Sequence, residues 1–519
     1  MNKQVRALSV AASAALALSA CTTGGKEAGG DTNTIRTAIN AAPTTFTPWT
    51  AQTRDDYDVS RLLFNTLVRR GANNKIVPAL ASSWKATPTK ATFTLRRGAT
   101  CADGTPITAK VVKNSLKAMV AAKQSVFREI VFGPGRPTIT ADEQANKVTV
   151  DLAQPWQDLL QGLSLEATGI VCPAGLADKA GLRTGSVRGA FSGPYVLAKS
   201  SQGVSYTFTA RQAFKEWPKY QKPALTGKPA RTVQVDVMAN GSARANALLT
   251  GGMDVATIKT QDMTRFDGEK RYTTRRLPSS SLYLLFNERA DNVFSDKRVR
   301  RAVVQTLDRK AFNNAATGGL GDLAVTFSHR AVPCASTDPG KLIKQDVAAA
   351  KPVLRGKTIR ILGLGVIGPQ GAGNSYVAEA LRAAGANVQI SNVDTTAWST
   401  TGTTKPGAWD LTVFAGINAG GTMYGALSTI IGPTTENGGA NWSGNRHKDV
   451  LAMVDRAMRE PDERTRCGIY QRVQNKLIDD ADVMPLSYLP AQLTVRPGFS
   501  ANVYNDQTDI STMQLNDEG

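Results

Sequence analysis

Polar and apolar residues alternate over several short stretches, and each stretch predicts a strand with one buried face. Thr92–Arg96 (TFTLR), Lys147–Leu152 (KVTVDL), Tyr206–Thr209 (YTFT) and Thr232–Val237 (TVQVDV) all read this way. Elsewhere the apolar spacing shifts to three and four, the period of a helix with one buried side. Thr108 caps a helix that runs to about Met119, with Val111, Val112, Ser115, Leu116 and Met119 toward one side. Ser295 caps another, with Val299, Ala302, Val303 and Leu307 on one face. A helix over Ala378–Ala384 stops at Gly385, which is free to take the left-handed conformation that ends helices. It lies between the strands Lys357–Leu362 and Asn387–Ile390, so the three form a βαβ unit and imply a parallel sheet. Asp449–Met458 and Glu463–Ile478 read as two further helices. The pattern is mixed α/β without an internal repeat.

The N-terminus follows another rule. Met1–Arg6 carries Lys3 and Arg6 and no acid, and Ala7–Leu18 is an apolar run of 12 residues. Such a run is too short for ~30 Å of hydrocarbon and reads, with its basic flank, as a secretory signal over residues 1–20. Leu18-Ser19-Ala20-Cys21 looks like a bacterial lipobox, which implies cleavage before Cys21 and lipidation of its thiol. Residues 21–33, small, polar and Gly-rich, then form a flexible tether from the lipidated cysteine. The expected location is the outer face of the bacterial cell membrane.

Length and composition narrow the classes. A chain of 519 residues, 41% hydrophobic and 20% charged, predicts two or three soluble domains. The formal charge is +20, falling to +18 once Lys3 and Arg6 are removed. The basic residues are scattered and only 6% of the chain is aromatic, which argues for a basic surface rather than nucleic-acid binding. Two histidines, His329 and His447, leave little room for a metal centre or a Ser-His-Asp triad. Apart from Cys21, the cysteines are Cys101, Cys172, Cys334 and Cys467, none in a CxxC spacing. An even number outside the cytoplasm points to two disulfides, with three pairings open. Gly363-Leu-Gly365-Val-Ile-Gly368 has the glycine spacing of a dinucleotide loop, but Pro369 and Gln370 keep the following helix away from the position of the phosphates. It reads as a glycine-rich connection.

Residues 62–119 carry the most specific signal. Leu67-Val68, Val77-Pro78-Ala79-Leu80-Ala81, Trp84, Phe93, Leu95-Arg96, Gly98, Asp103-Gly104-Thr105-Pro106, Thr108-Ala109 and Val112 occur in order. This order resembles the bacterial extracellular solute-binding proteins of family 5, the peptide- and nickel-type receptors of ABC importers. Ser192-Gly193-Pro194-Tyr195, Ala247–Gly251 with Asp254-Val255, Phe286-Asn287, Asp296 through Arg309, and Arg464–Tyr470 with Pro485-Leu486 continue the resemblance. It departs at Cys101, where the family has Phe, and at Lys110, where it has an acid. Locally, Asp103-Gly-Thr-Pro reads as a tight turn, Pro78–Trp84 as a short helix packing its indole on the core, and Gly193-Pro194-Tyr195 as the start of a strand.

The resemblance implies a two-lobed periplasmic-binding-protein-like fold with a hinge and an enlarged first lobe. It places lobe 1 at 34–283, lobe 2 at 284–484 and a return to lobe 1 at 485–519, with crossings near Ser281–Asn287 and Met484–Leu493. Ligand would be held between the lobes, with no catalytic residue, metal or cofactor. Matching positions nominate Phe46 and Trp49 in the N-terminal loop, Asn287 at the crossing, and Asn418, Tyr424 and Trp442 in the second lobe, with Trp398 as a further apolar wall. Peptide-binding members carry an acid for the peptide's ammonium group, whereas here none lies between Asp410 and Glu436. The implied function is delivery of a ligand, foremost an oligopeptide, to an ABC permease and its ATPase subunits, by a monomer that binds no nucleic acid. An oligosaccharide or a metal chelate is the alternative ligand, and a secreted nucleotide-dependent enzyme the distant one. Hinge closure forbids a covalent bond between lobes, so the implied lobes select Cys101–Cys172 and Cys334–Cys467 from the three pairings.

Overall fold

The computed structural model describes residues 33–71, 75–122, 125, 127–215, 225, 227–418, 420–504 and 507–516. Cys21 and the expected signal and tether through Thr32 lie outside them. Residues 33–519 form one compact unit, and among the described residues no helix is long and apolar enough to cross a membrane.

Alternation produced strands where the sequence placed them. Thr232–Val237 is a strand at its expected limits, and Ser205–Ala210, Lys90–Leu95 and Lys147–Asp151 differ from expectation by a residue or two at their ends. The first sheet has the order Thr34–Ile39, Thr232–Val237, Ser205–Ala210, Tyr195–Ser201. Thr34–Ile39 pairs parallel with Thr232–Val237, and the rest of that sheet is antiparallel. A separate antiparallel sheet of Ala81–Thr87, Lys90–Leu95, Lys147–Asp151 and Thr138–Asp142 carries the helix Ala109–Ala121. Thr108 caps that helix as expected, accepting a hydrogen bond from the Val111 amide, and Val112, Leu116 and Met119 are buried.

A six-stranded sheet joins distant parts of the chain. Its order is Val255–Lys259, Val483–Val495, Thr273–Phe286, Leu411–Gly416, Thr358–Leu364, Asn387–Val393. Thr273–Phe286 and Val483–Val495, 14 and 13 residues long, run antiparallel along almost their whole length. At one end they meet Val255–Lys259, and at the other Leu411–Gly416. The register shifts between Pro278 and Ser280 and between Leu282 and Tyr283, and such bulges bend and re-aim a strand. Thr358–Leu364, the helix Ala372–Ala383 and Asn387–Val393 form the expected parallel βαβ unit. The helix begins only at Ala372, eight residues after Leu364. Any side chain at Gly363 would collide with Asn392, so these glycines serve local packing.

Two local expectations fail. Pro78–Trp84 is no helix: Ile76–Pro78 and Ala81–Thr87 are strands, with Trp84 opposite Phe93. The Ala- and Leu-rich composition favours helix, but pairing with Lys90–Leu95 overrides that propensity. The second helix is capped by Asp296 rather than Ser295: the Asp296 carboxylate accepts from the Arg298 amide 2.8 Å away, and the helix spans Lys297–Gln305.

Cys101 is disulfide-bonded to Cys172, and Cys334 to Cys467, with Cα atoms 6.1 and 4.6 Å apart. The first bond lies wholly before the strand Thr273–Phe286 in the chain, and the second lies wholly between the two long strands. Cys101 and Cys172 are both buried, so the first cross-link lies within the core.

Candidate functional site

A cavity of about 250 Å³ lies where both parts of the chain face the long strands. Arg54, Asp55, Tyr57 and Asn40 come from the N-terminal part, Phe127 and Ile130 from a helix beside the second sheet, and Lys259 from the edge strand. The bulged strand contributes Ser279, Ser280 and Tyr283, and the opposite side is built from Trp398, Phe414, Asn418 and Trp442. No continuous segment makes this site; it exists only because the six-stranded sheet brings residues 40 and 442 together.

The opposite side is an aromatic wall whose rings hold one another in place. Trp398 and Trp442 have ring centroids 4.5 Å apart, Phe414 meets Trp398 at 5.0 Å and Trp442 edge-on at 5.1 Å, and Tyr283 stacks on Phe414 at 5.3 Å. Such pairs favour offset or edge contacts because the ring faces are negative and the edges positive. Two polar tips are held within the wall. The Trp398 indole N–H donates to Thr412 Oγ1 at 3.0 Å, which itself donates to the Leu362 carbonyl. Tyr283 Oη and Thr429 Oγ1 share a hydrogen bond of 2.9 Å. Trp442 fits closely against the helix Thr395–Thr404 because Gly402 has no side chain; a Cβ there would overlap the indole. Across the cavity, Tyr57 and Phe127 form an edge-to-face pair at 5.9 Å.

The other end is charged. Among the described wall residues, the ionic side chains are Arg54, Asp55 and Lys259. Both Asp55 oxygens are already occupied: one accepts from the Asn40 amide and side chain at 2.9 and 3.3 Å, the other from the Ala41 amide at 3.1 Å. Burial nonetheless holds its carboxyl above the ordinary range. Arg54 donates to the Ser279 carbonyl at 2.8 Å. The Lys259 ammonium reaches Asn40 Oδ1 at only 3.5 Å. Burial and the nearby Arg54 and Arg244 push its pKa down to about 8, against the pull of Asp55 and Asp58.

The nominated residues divide. Trp442 and Asn418 stand on the cavity wall, as does Trp398. Phe46, Trp49, Asn287 and Tyr424 do not. Phe46 is buried edge-to-face against Tyr206, and Trp49 is buried in a short turn of helix. Asn287 donates from its amide to the Pro406 and Trp409 carbonyls at 2.8 and 2.9 Å and accepts from Arg289 at 3.0 Å, so its polar atoms face protein. Tyr424 donates to Glu129 Oε1 at 2.9 Å and packs on Trp156, 4.6 Å between centroids, just behind the wall. The sequence reading missed Arg54, Tyr57, Phe127, Lys259, Ser279, Ser280, Tyr283 and Phe414. Of these, Tyr283 lies within a segment singled out from the sequence, the expected crossing Ser281–Asn287.

A second polar group supports the aromatic wall from behind. Glu288, His447 and Asp482 bring ligand-type atoms within 4.8 Å of one another, but a guanidinium already sits among them: Arg300 is 3.4 Å from Glu288 and 2.5 Å from Asp482. The Glu288 amide donates to the Ser443 carbonyl and Arg289 donates to the Trp442 carbonyl, so this network anchors the segment that presents Trp442. Burial would lower His447, but Glu288 and Asp482 outweigh it and hold the imidazole above its ordinary value. Burial and the Glu288 charge raise Asp482.

Comparison with known proteins identifies the fold and the family. Residues 75–438 match the model of the bacterial extracellular solute-binding proteins, family 5 middle region. A substrate-binding protein from Microbacterium hydrocarbonoxydans, solved in complex with 4-hydroxybenzoate hydrazide, is 38% identical with a TM-score of 0.86, over 93% of this chain and all of that one. A binding protein solved in complex with agropinic acid, from A. tumefacien R10, is 21% identical with a TM-score of 0.81, over 94% of this chain and 99% of that one, a likeness of fold. The probable D,D-dipeptide-binding periplasmic protein DdpA of Escherichia coli (strain K12) is 26% identical over 304 residues, 54% of each chain. The periplasmic murein peptide-binding protein MppA of the same organism is 26% identical over 307 residues, again 54% of each. The chain thus aligns with about half the length of these curated relatives. The match over residues 75–438, together with the two-lobed fold, establishes that this chain belongs to the bacterial extracellular solute-binding proteins of family 5.

Proposed function

We propose that this protein is a lipid-anchored, extracytoplasmic receptor that captures a small aromatic solute between its lobes and hands it to an ABC import permease with its ATPase subunits. The cavity carries the reading: about 250 Å³, walled by Trp398, Phe414, Trp442, Tyr283, Tyr57 and Phe127. Ligand sites for drug-sized molecules span ~300–1,000 Å³, so this one suits a single-ring molecule better than an oligopeptide. A relative 38% identical to this chain was solved with a ligand of that kind, 4-hydroxybenzoate hydrazide, and this likeness supports the reading. Anchoring through Cys21 rests on the lipobox-like sequence, and the lobe limits 34–283, 284–484 and 485–519 rest on the two long strands that carry the chain across. Closure about those strands would seal the solute from water. The receptor would act as a monomer, without catalysis, cofactor or nucleic acid.

The second reading, an oligopeptide, draws on the curated relatives named for peptide binding. Against it stands the wall chemistry. The one carboxylate among the described wall residues, Asp55, already accepts three hydrogen bonds from Asn40 and Ala41 and stands beside Lys259, which leaves it poorly placed to pair with a peptide ammonium. Thermal-shift measurements on the purified protein with single-ring aromatic acids, amides and hydrazides, and with di- and tripeptides, separate the two. The aromatic set should raise the melting temperature; a shift with peptides alone overturns the proposal.

A further inference from the structure

We propose that the charged end of the cavity is an anion subsite, and that the solute is an aromatic carboxylate whose ring lies on the Trp398–Phe414–Trp442 wall and whose carboxylate meets Lys259 and Arg54. The inference rests on the aromatic-solute reading and adds the group that orients the ring.

Charge is the first argument. Two cations and one carboxylate face the cavity, and that carboxylate already accepts three hydrogen bonds from Asn40 and Ala41. Arg244 and Asp58 line the adjoining small cavity with these three groups, so three cations meet two carboxylates and the surplus remains one positive charge. A positive charge held away from water is costly unless an anion accompanies it. Geometry is the second. Lys259 has one long hydrogen bond, 3.5 Å to Asn40, and an ammonium can donate three. Arg54 is fixed by its bond to the Ser279 carbonyl, on the bulged strand that also lines the cavity. A planar carboxylate reaching this end gains charge-assisted hydrogen bonds that a neutral amide of equal shape does not.

Titration gives a signature. The groups that face Lys259 are Arg54 and Arg244, which lower its pKa, and Asp55 and Asp58, which raise it; with burial they bring it to about 8. An arriving anion favours the protonated lysine. Affinity for a carboxylate should therefore be full below pH 7 and fall as pH rises through 8, while affinity for a neutral ligand stays level.

Calorimetric titration of the purified protein with benzoate and benzamide, a pair matched in ring and size, tests this. Benzoate should bind about ten-fold tighter at pH 6.5, the preference should shrink by pH 9.5, and Lys259→Met should bring it close to one. Lys259→Arg, which keeps the charge, should retain the preference at both pH values. Equal affinities in the wild type, or a preference that survives Lys259→Met, overturn the anion subsite and leave the aromatic-solute reading standing. Binding of neither ligand overturns both.

Discussion

The two ends of the cavity are built by opposite means. At the aromatic end every ring touches another, and Trp398 and Tyr283 have their polar tips held by Thr412 and Thr429. The rings fix one another, so the surface exists before binding and loses little conformational freedom when a solute arrives. At the charged end the wall is incomplete: Lys259 has a single long bond, and the neighbouring carboxylate is turned to the backbone. The first end gives affinity through area and shape, and the second gives discrimination through an unmet electrostatic need.

The largest expected effect strikes the aromatic end. Trp442→Ala removes the ring that touches Trp398 and Phe414, and buried aromatic anchors of this kind cost about 2 kcal/mol or more when truncated. Affinity for every aromatic solute, charged or neutral, should fall by roughly 30-fold or more in calorimetric titration. A change confined to carboxylates would show that the two ends are not separable. Next comes Gly402→Ala. Its new methyl group overlaps the indole of Trp442, which must shift toward the cavity. Overpacking of this kind costs about 1–3 kcal/mol, so both the melting temperature and the affinity should drop. An unchanged affinity would mean that the wall tolerates movement and is not a preformed surface.

The smallest effect concerns the network behind Trp442. His447 is held above its ordinary value, so its contribution to stability is full below about pH 6.5 and is lost as pH rises through its folded value. Asp482 is also raised, so its ionisation in the folded protein opposes stability increasingly as pH climbs from its unfolded value. Both signs agree. The melting temperature should decline by roughly 2 °C between pH 6 and pH 8.5, and the decline should shrink in His447→Gln, with the part due to Asp482 remaining. A rise over that interval would show that burial outweighs Glu288 and Asp482 and holds the His447 imidazole below its ordinary value.

What the sequence disclosed follows from locality. Strands such as Thr232–Val237 and the helix after Thr108 are written in short-range alternation and capping, and they stand where expected. Pro78–Trp84 misleads because its partner strand is not contained in the stretch itself. In the site, Trp442 is legible because large aromatic residues are few in this chain, of which only 6% is aromatic. Lys259 and Arg54 are not: in a chain with 62 Lys and Arg, no single one stands out. Their role arises from a sheet that joins residues far apart in the chain. Asn287 shows the converse. It directly follows the strand Thr273–Phe286, and its polar atoms hold Pro406, Trp409 and Arg289, so its place is in the frame rather than on the cavity wall.

The most direct measurement is a crystal structure of the protein with a single-ring aromatic carboxylate bound. The ring should lie against Trp398, Phe414 and Trp442, its carboxylate within hydrogen-bond distance of Lys259, and the disulfides Cys101–Cys172 and Cys334–Cys467 should each remain on one side of the long strands. A ligand bound outside this cavity, or one that forces Trp442 away from Gly402 to make room for an extended peptide, would contradict the account.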